Sequence, residues 1–340
     1  FFSQNLYYYM YYIVVLKFFG SFKMSFKAAV IQDSPVVFNL AATIDKVETL
    51  TNKAISNGAE LVLFPEAFVS AYPKGLDFGA RVGQRSDKGR EDFRRYYDSS
   101  LDFKSKEYYR LLGIAKKYKV LLVIGVIERD GGTLYCTVLF ISKKGELLEK
   151  HRKIMPTAME RLIWGFGDGS TMPVIDTELG KLGSVICWEN YMPMMRMGMY
   201  SKGIELYCAP TADDRETWIS TVQHIALEGR CFVFSACQYL ERKDCPKDYA
   251  IDDSKKNPKS VIMNGGSCVI SPLGKIIAGP IRNKAEIIFA DIDLNEIIKG
   301  KYDFDAVGHY ARPDIFELNI NERSNNSVTP QKIRKNIDKK

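Results

Sequence analysis

Nine short apolar runs, each four to eight residues long, recur along this chain and limit the folds that it can adopt. Runs of this length, in which most side chains are apolar or β-branched, are typical of strands buried on both faces. Layered α/β proteins contain such strands. The predicted strands are Ala28–Ile31, Leu61–Phe64, Val120–Ile127, Leu134–Ile141, Leu182–Ile186, Glu205–Ala209, Cys231–Ala236, Ser267–Ile270 and Glu286–Ala290.

Amphipathic helical stretches lie between several of these strands. In Asn39–Asn57 the apolar residues recur at steps of three or four, and Gly58 follows where glycine commonly ends a helix. Ser105–Tyr118 and Arg215–Gly229 have the same pattern. Two pairs of predicted strands follow each other with only a short turn between them. The pattern therefore predicts a mixed α/β layered fold and not a purely parallel, doubly wound sheet.

The net charge of +7 is located at the two ends of the chain. Residues 321–340 hold six Lys or Arg and two acidic residues, and residues 1–27 hold three Lys and no acidic residue. The body between them is neutral. A nucleic-acid-binding protein carries a basic patch on its folded body, so the sequence predicts no nucleic-acid partner.

The seven cysteines are odd in number, irregularly spaced and without a CxxC pair. This pattern argues against a disulfide framework and against a zinc site. Free thiols in a chain of this length are typical of a reducing compartment. The cysteines therefore predict a cytoplasmic protein that holds no structural metal.

The two ends of the chain differ from its body. We expect residues 1–26 to be an aromatic leader outside the fold, because the first 23 residues contain ten Phe or Tyr. The longest apolar run there, Leu6–Leu16, has eleven residues, fewer than the roughly 20 that span a bilayer. We favour the interpretation that the protein starts at Met24 over the alternative that the leader is a membrane-associated segment. We expect no stable membrane span. A single domain over 27–318 and a disordered basic tail over 319–340 complete the predicted organisation.

Three segments place a reactive side chain shortly after a predicted strand, where α/β folds gather their active sites. In the first, Glu66 follows LVLF and Pro65, between Phe64 and Phe68. A carboxylate in apolar surroundings can act as a general base, because its pKa is adjustable there. A solvated loop glutamate is the alternative interpretation.

The second segment is HRKIMPTAMERLIWGFGDGS, in which Glu160 follows Lys153 by seven residues. A lysine ammonium is a compact charge suited to stabilising a developing anion. An exposed Lys153, with Glu160 paired to Arg152 or Arg161, is the alternative.

The third segment is KLGSVICWENYMPMMR, in which Cys187 ends a strand and precedes Trp188. A nucleophile in a tight strand-to-helix turn is accessible, and backbone N–H groups beside it can form an oxyanion site. A buried core cysteine is the alternative.

In combination and order, the three segments resemble the signature regions of the nitrilase branch of the carbon–nitrogen hydrolase superfamily. The resemblance extends over about residues 27–318. CWEN resembles true nitrilases, whereas amidase-type relatives more often have an aspartate in that motif. The chain departs from the family pattern at Ala71, where Gly is usual, and at Ser184, where Ala or Gly is common. The matching motifs are LYCTVLF at 134–140, HRKIMPTA at 151–158, CWENYMP at 187–193, GIELYCAPTAD at 203–213, GGSCVISPLG at 265–274 and GHYARPDIF at 308–316.

The resemblance implies a four-layer α-β-β-α sandwich that forms homodimers or larger homo-oligomers. It implies Glu66, Lys153 and Cys187 as catalytic residues, with Glu160 as an additional glutamate. It also implies an oxyanion site at the backbone N–H of Trp188. The substrate-pocket candidates are Tyr72, Trp188, Glu189 and Thr211.

The implied reaction is hydrolysis of a small-molecule nitrile to a carboxylic acid and ammonia, with no metal and no organic cofactor. The thiol attacks the nitrile, Glu66 takes its proton, and Lys153 stabilises the nascent anion. Water adds to the thioimidate, ammonia leaves, and a second water hydrolyses the thioester. If the thiol leaves first, the product is the amide.

Three alternatives remain open from the sequence. An amidase or carbamoylase would use the same residues and would differ only in its pocket, so a nitrile and its amide would distinguish the two. A Cys–His hydrolase would take its base from His151, His224 or His309. A non-enzymatic interaction protein would use the methionine-rich stretch 192–199 as an adaptable binding face.

Overall fold

A computed structural model of the chain describes residues 23–249, 256–326 and 328. This part of the chain contains thirteen strands and six α-helices. The strands are β1 (Ser25–Gln32), β2 (Leu61–Leu63), β3 (Leu121–Asp130), β4 (Thr133–Ile141), β5 (Leu147–Arg152), β6 (Val174–Thr177), β7 (Gly180–Ser184), β8 (Leu206–Thr211), β9 (Phe232–Cys237), β10 (Tyr239–Glu241), β11 (Val261–Ile270), β12 (Ile276–Arg282) and β13 (Glu286–Asp293). The helices are α1 (Leu40–Ser56), α2 (Asp87–Asp98), α3 (Lys106–Tyr118), α4 (Pro193–Ser201), α5 (Thr217–Gly229) and α6 (Asn295–Gly300).

The strands form two mixed sheets. The first has the order β13-β1-β2-β3-β4-β5, in which β1, β2 and β3 are parallel and the other neighbours are antiparallel. The second has the order β10-β11-β9-β8-β7-β6, with β12 paired to β11, and its parallel strands are β7, β8 and β9. The predicted mixed fold is therefore confirmed, and all nine predicted strands are present.

Period-two alternation within the strands separates the two faces of each sheet. In β1, Ala28 and Val30 belong to the cluster between the sheets, whereas Ala29 and Ile31 belong to the cluster under the helices. Helices α1 and α3 cover the outer face of the first sheet, and α4 and α5 cover that of the second. The result is the expected four-layer α-β-β-α sandwich.

The predicted ends need two corrections where the structure describes them. Most of the predicted leader, residues 1–22, lies outside the described residues, but β1 begins at Ser25 and so includes the last two residues of that segment. The predicted tail lies in part against the body. Ile320 packs on the outer layer of the second sheet, Glu322 pairs with Lys202 at 2.5 Å, and the Asn325 N–H donates to Asp168.

Among the described residues, no helix combines the length and apolar character that crossing a membrane requires.

Candidate active site

The ends of three strands bring the predicted reactive side chains together. Glu66 follows β2, Lys153 follows β5 directly, and Cys187 lies three residues beyond β7. Glu160 belongs to the short 3-10 helix Ala158–Leu162. The first two strands belong to the first sheet and β7 to the second, so the site requires both sheets of the sandwich.

The nucleophile candidate lies in a constrained turn. Cys187 begins the 3-10 helix Cys187–Tyr191 with a φ of 51°, in the left-handed region that side chains with a Cβ rarely adopt. The Asn190 side chain donates to the carbonyl oxygens of Val185 and Cys187, and accepts from the Tyr207 hydroxyl. These buried hydrogen bonds hold the turn, as the strand-to-helix prediction requires.

A buried ammonium lies between two carboxylates. Lys153 Nζ is 2.7 Å from Glu66 Oε1 and 2.8 Å from Glu160 Oε2. Burial alone would lower the pKa of Lys153, but the carboxylates, with Glu66 the stronger, hold that pKa well above its ordinary value. Burial raises the pKa of Glu66, while Lys153 opposes this shift. The ammonium therefore stays charged, and Glu66 has more affinity for a proton than an exposed glutamate.

The two carboxylate oxygens of Glu66 have different surroundings. Oε1 accepts from Lys153 and lies 3.6 Å from Cys136 Sγ. Oε2 is buried and has no hydrogen-bond partner among the described residues. The neighbouring thiol of Cys187 lowers the pKa of Glu66. One oxygen of Glu66 is thus held by Lys153, and the other is free to take a proton.

The Cys187 sulfur has its own donors. Thr211 Oγ1 donates to Sγ at 3.1 Å, and the backbone N–H of Ala212 also lowers the pKa of the thiol. Burial dominates and raises the pKa of Cys187 to about 12. The free enzyme therefore holds a thiol, and its proton has to be removed during attack.

Tyr72 and Trp188, two of the predicted pocket residues, lie at the wall of a cavity that Cys187 also lines. The Tyr72 hydroxyl donates to Glu160 Oε1 at 2.7 Å. The Trp188 indole donates to Asp213 Oδ2 at 2.9 Å, and Arg215 lies over its ring. They border a cavity of about 230 Å³, which is lined by Tyr72, Lys74, Thr157, Glu160, Cys187, Trp188, Ala212, Asp213, Asp214 and Arg215.

Two of the predicted pocket residues have other positions. Thr211 is buried at the sulfur and is not among the residues that line this cavity. Glu189 does not line it either. Glu189 is 1% exposed, and its carboxylate accepts from the backbone N–H groups of Ile154, at 2.5 Å, and Ile186, at 2.9 Å.

Glu189 also forms a buried pair with His151. Nε2 of the ring is 2.9 Å from Glu189 Oε2, and Nδ1 is 2.6 Å from the carbonyl oxygen of Thr171. Both ring nitrogens face acceptors, so both carry a proton. Burial alone would lower the pKa of His151, but Glu189 outweighs it and the pKa is raised. The pair is an imidazolium and a carboxylate.

Trp164 is an active-site residue that the sequence did not indicate. It is 2% exposed, Lys153 Nζ lies 5.6 Å from its ring centroid, and its ring meets Tyr72 edge-on. An aromatic face beside a buried ammonium stabilises the charge without accepting its proton. Trp164 lies four residues after Glu160 in the segment ERLIWG, and this spacing was an indication in the sequence. Tryptophans at such spacing usually pack in a core, so the indication was not specific.

The geometry does not support a Cys–His hydrolase. All three histidines lie in the described part of the chain. His151 is bound to Glu189 and Thr171, His224 is exposed beside Glu228, and His309 packs on Tyr310. Among the described residues, no group of three or more His, Cys, Asp or Glu side chains could hold a metal ion.

Helix α4 accounts for most of the methionine-rich stretch. Met195 and Met199 are buried under the second sheet, whereas Met194 is exposed. The alternation favours helix packing over a continuous binding face.

The chain is similar to known proteins over most of its length. The family model for carbon–nitrogen hydrolases matches residues 27–302. The bifunctional nitrilase/nitrile hydratase NIT4A of Lupinus angustifolius is 52% identical over 307 residues, which cover 89% of this chain and 88% of the relative. A nitrilase of Bradyrhizobium diazoefficiens is 53% identical over 305 residues, covering 90% and 95%. Among solved structures, Nit3 of Saccharomyces cerevisiae has a similar fold, with a TM-score of 0.65 at 24% identity, covering 86% of this chain and 98% of that one.

Proposed function

The chain belongs to the carbon–nitrogen hydrolase family, in its nitrilase branch, and from this premise we propose that it hydrolyses a nitrile to a carboxylic acid and ammonia. One observation carries the mechanism. Lys153 holds one oxygen of Glu66, the other oxygen has no hydrogen-bond partner among the described residues, and the Cys187 thiol lies close enough to this carboxylate to lower its pKa. A base with a free oxygen, a thiol and a fixed cation are the groups that addition to a nitrile requires.

In the first step, the Cys187 sulfur forms a bond to the nitrile carbon. The thiol proton passes to Glu66, and one π-electron pair of the C≡N bond moves onto nitrogen. Lys153 and the backbone N–H of Trp188 stabilise that developing charge. The nitrogen then takes that proton from Glu66, which gives a thioimidate and restores the Glu66 carboxylate.

In the second step, water adds to the thioimidate carbon, with Glu66 as the base that takes its proton. Glu66 passes this proton to the nitrogen, the new hydroxyl loses its own proton through Glu66 as the C–N bond breaks, and ammonia leaves. Glu160 orients Lys153 through one carboxylate oxygen and accepts from the Tyr72 hydroxyl, at the pocket wall, through the other. A second water then attacks the thioester, the C–S bond breaks, and the sulfur regains its proton.

The names of the similar proteins support a nitrile as substrate. Two relatives, one from a plant and one from a bacterium, are called nitrilases at about half identity over most of the chain. The pocket charges are paired within the wall: Lys74 with Asp214 at 3.2 Å, and Arg215 with Asp213. These charges therefore neutralise each other, which suits an uncharged substrate such as a nitrile.

An amidase that uses the same residues is the rival. The deciding experiment measures ammonia release from a panel of nitriles and from the matching amides. Mass spectrometry of the protein during turnover checks for an acyl group on Cys187. Nitriles should be the better substrates, because an amide brings N–H donors that need their own partners, at about 1–3 kcal/mol for each one left unpaired. Amides hydrolysed far faster than every nitrile would establish the amidase instead.

We also propose that the enzyme assembles as a homodimer or larger homo-oligomer in a reducing compartment, the cytoplasm. Large apolar side chains near the end of the described chain face solvent: Tyr302 is 90% and Phe316 76% exposed. A partner subunit would cover them. All seven cysteines are free thiols, which reducing compartments preserve. Light scattering after size exclusion tests the assembly, and a monomer at micromolar concentration would contradict it.

A further inference from the structure

The Thr211 hydroxyl is positioned to donate to the Cys187 sulfur. Thr211 is fully buried at the end of β8, and its Oγ1 lies 3.1 Å from Sγ. The backbone N–H of Asp213 donates to the same Oγ1 at 2.9 Å. A hydroxyl has one hydrogen and two lone pairs. Asp213 occupies one lone pair, and the hydrogen is available to the sulfur, which as a thiolate can only accept.

The reaction proposed above has a branch at which this bond matters. After water adds to the thioimidate, the tetrahedral carbon carries the sulfur, the nitrogen and the new hydroxyl. If the C–N bond breaks, the hydroxyl loses its proton, which Glu66 passes to the nitrogen. The nitrogen takes the electron pair and leaves as ammonia, and the thioester remains. If the C–S bond breaks, the sulfur takes the electron pair as a thiolate, the hydroxyl loses its proton to Glu66, and the amide is released.

The charge of Lys153 acts on both leaving atoms, since it also lowers the pKa of Cys187, but the hydrogen bonds to the sulfur come from other groups. The sulfur is contacted by the Thr211 hydroxyl and the Ala212 backbone N–H. The hydrogen bonds of the Lys153 ammonium go to the buried carboxylates instead. One of these, Glu160, also accepts from the Tyr72 hydroxyl. A change at Thr211 therefore acts on the sulfur and leaves the hydrogen bonds of the ammonium intact.

We propose that Thr211 is a catalytic residue that sets the ratio of amide to acid, because its hydroxyl stabilises the departing Cys187 thiolate. This inference rests on the proposed function. A donor on sulfur makes C–S cleavage easier, so it raises the fraction of amide. The same bond assists the last step of the acid route, since hydrolysis of the thioester also expels the thiolate.

The test compares Thr211→Val, which has nearly the same shape without the hydroxyl, with Thr211→Ser, which keeps it. Thr43→Val is the matched control, because Thr43 is equally buried and its hydroxyl donates to backbone carbonyls of Val36 and Asn39 under the first sheet. Acid, amide and ammonia are quantified from one nitrile, and acylated Cys187 is measured by intact-protein mass spectrometry during turnover.

In Thr211→Val the amide-to-acid ratio should fall about three- to tenfold, the usual effect of one hydrogen bond. The steady-state fraction of acylated Cys187 should rise. Thr211→Ser, which keeps the hydroxyl, should have wild-type values of both quantities, and Thr43→Val should change neither. An unchanged or higher amide-to-acid ratio in Thr211→Val overturns the proposal. If the wild type releases too little amide to quantify, the fraction of acylated Cys187 is the deciding measurement. An acylated fraction in Thr211→Val that does not exceed that of the wild type then overturns the proposal.

Failure of the proposed function would appear in a different arm. A wild type that converts amides and leaves every nitrile untouched would remove the nitrilase assignment before any variant is compared. The effect of Thr211 on thioester hydrolysis would still be measurable with the amide as substrate.

Discussion

Two buried charge clusters lie side by side in this molecule, and they use their hydrogen bonds differently. In the cluster of Glu66, Lys153 and Glu160, Glu66 Oε2 has no partner among the described residues. In the pair of His151 and Glu189, both ring nitrogens and both carboxylate oxygens are bonded. A buried polar atom without a partner costs about 1–3 kcal/mol. The first cluster retains such an atom where a proton has to be taken, whereas the second has none.

The second cluster positions the first. Glu189 accepts from Ile154, which follows Lys153, and from Ile186, which precedes Cys187. One carboxylate thus fixes the backbone beside both the ammonium and the thiol. Errors of about 1 Å in such positions can cost about a hundredfold in rate. We infer that the unpaired cluster performs the chemistry and that the paired cluster holds its geometry.

The largest expected effect is the loss of the nucleophile. Cys187→Ala should lower kcat more than about a thousandfold while the protein stays folded, because the change is small and the covalent route is lost. Cys231→Ala, which removes a buried thiol from the helix-covered layer, is the control and should keep its activity. Retained turnover in Cys187→Ala, with six cysteines still present, would refute the assignment.

Removal of the ammonium comes next. Lys153→Ala should lower kcat by about 10²–10³, the usual effect of losing one donor to a developing anion. Lys150→Ala, on the strand that precedes Lys153, is the control. Lys150 pairs with Glu128 while partly exposed, and such pairs contribute only about 0–1 kcal/mol. A near-normal kcat in Lys153→Ala would mean that another group stabilises the charge.

A matched pair of glutamate variants tests the comparison directly. Glu189→Gln leaves a buried imidazolium without its carboxylate, which typically destabilises a protein by about 3–5 kcal/mol. Glu160→Gln keeps Lys153 paired with Glu66, so it should reduce the free energy of unfolding less. It should also lower kcat or change the acid-to-amide ratio in the folded enzyme. Urea unfolding and steady-state kinetics measure both. Equal losses of stability would show that the two clusters do not differ.

The pH dependence of stability sharpens the same comparison. The pKa of His151 is raised in the folded protein above its ordinary value of 6.5. Its contribution is therefore fully present below about pH 6.5 and is lost as the pH rises through the folded pKa. Unfolded thiols also lose protons in this range, so the difference between wild type and His151→Asn isolates the histidine. That difference should shrink with rising pH, and a constant difference would show that His151 is neutral.

The sequence predicted the parts of the fold that are apolar on both faces, and missed the parts that are not. Strand β5 is LLEKHR, a polar edge strand, and helix α2 buries only Gly89 and Tyr96. The four reactive residues were predictable because three of them follow strands closely. The positions of Glu189 and Thr211 were not, because they depend on Ile154 and on Cys187, which lie 35 and 24 residues away.

The smallest expected effect comes from a second unpaired atom, the hydroxyl of Ser184, three residues before Cys187. Ser184 is fully buried, and its Oγ has no hydrogen-bond partner among the described residues. Unlike Glu66 Oε2, this hydroxyl has no part in the proposed reaction. Ser184→Ala should therefore raise the free energy of unfolding by about 1 kcal/mol, because it removes a buried unpaired hydroxyl, and should leave kcat and the acid-to-amide ratio unchanged.

Thr211→Val is the counterpart, since it removes a hydroxyl that is bonded to the sulfur. Chemical denaturation and product analysis of both variants show whether a buried hydroxyl affects catalysis wherever it lies or only beside a reacting group. A loss of activity in Ser184→Ala would favour the first interpretation. It would extend the catalytic region into β7, because Ser184 is the last residue of that strand.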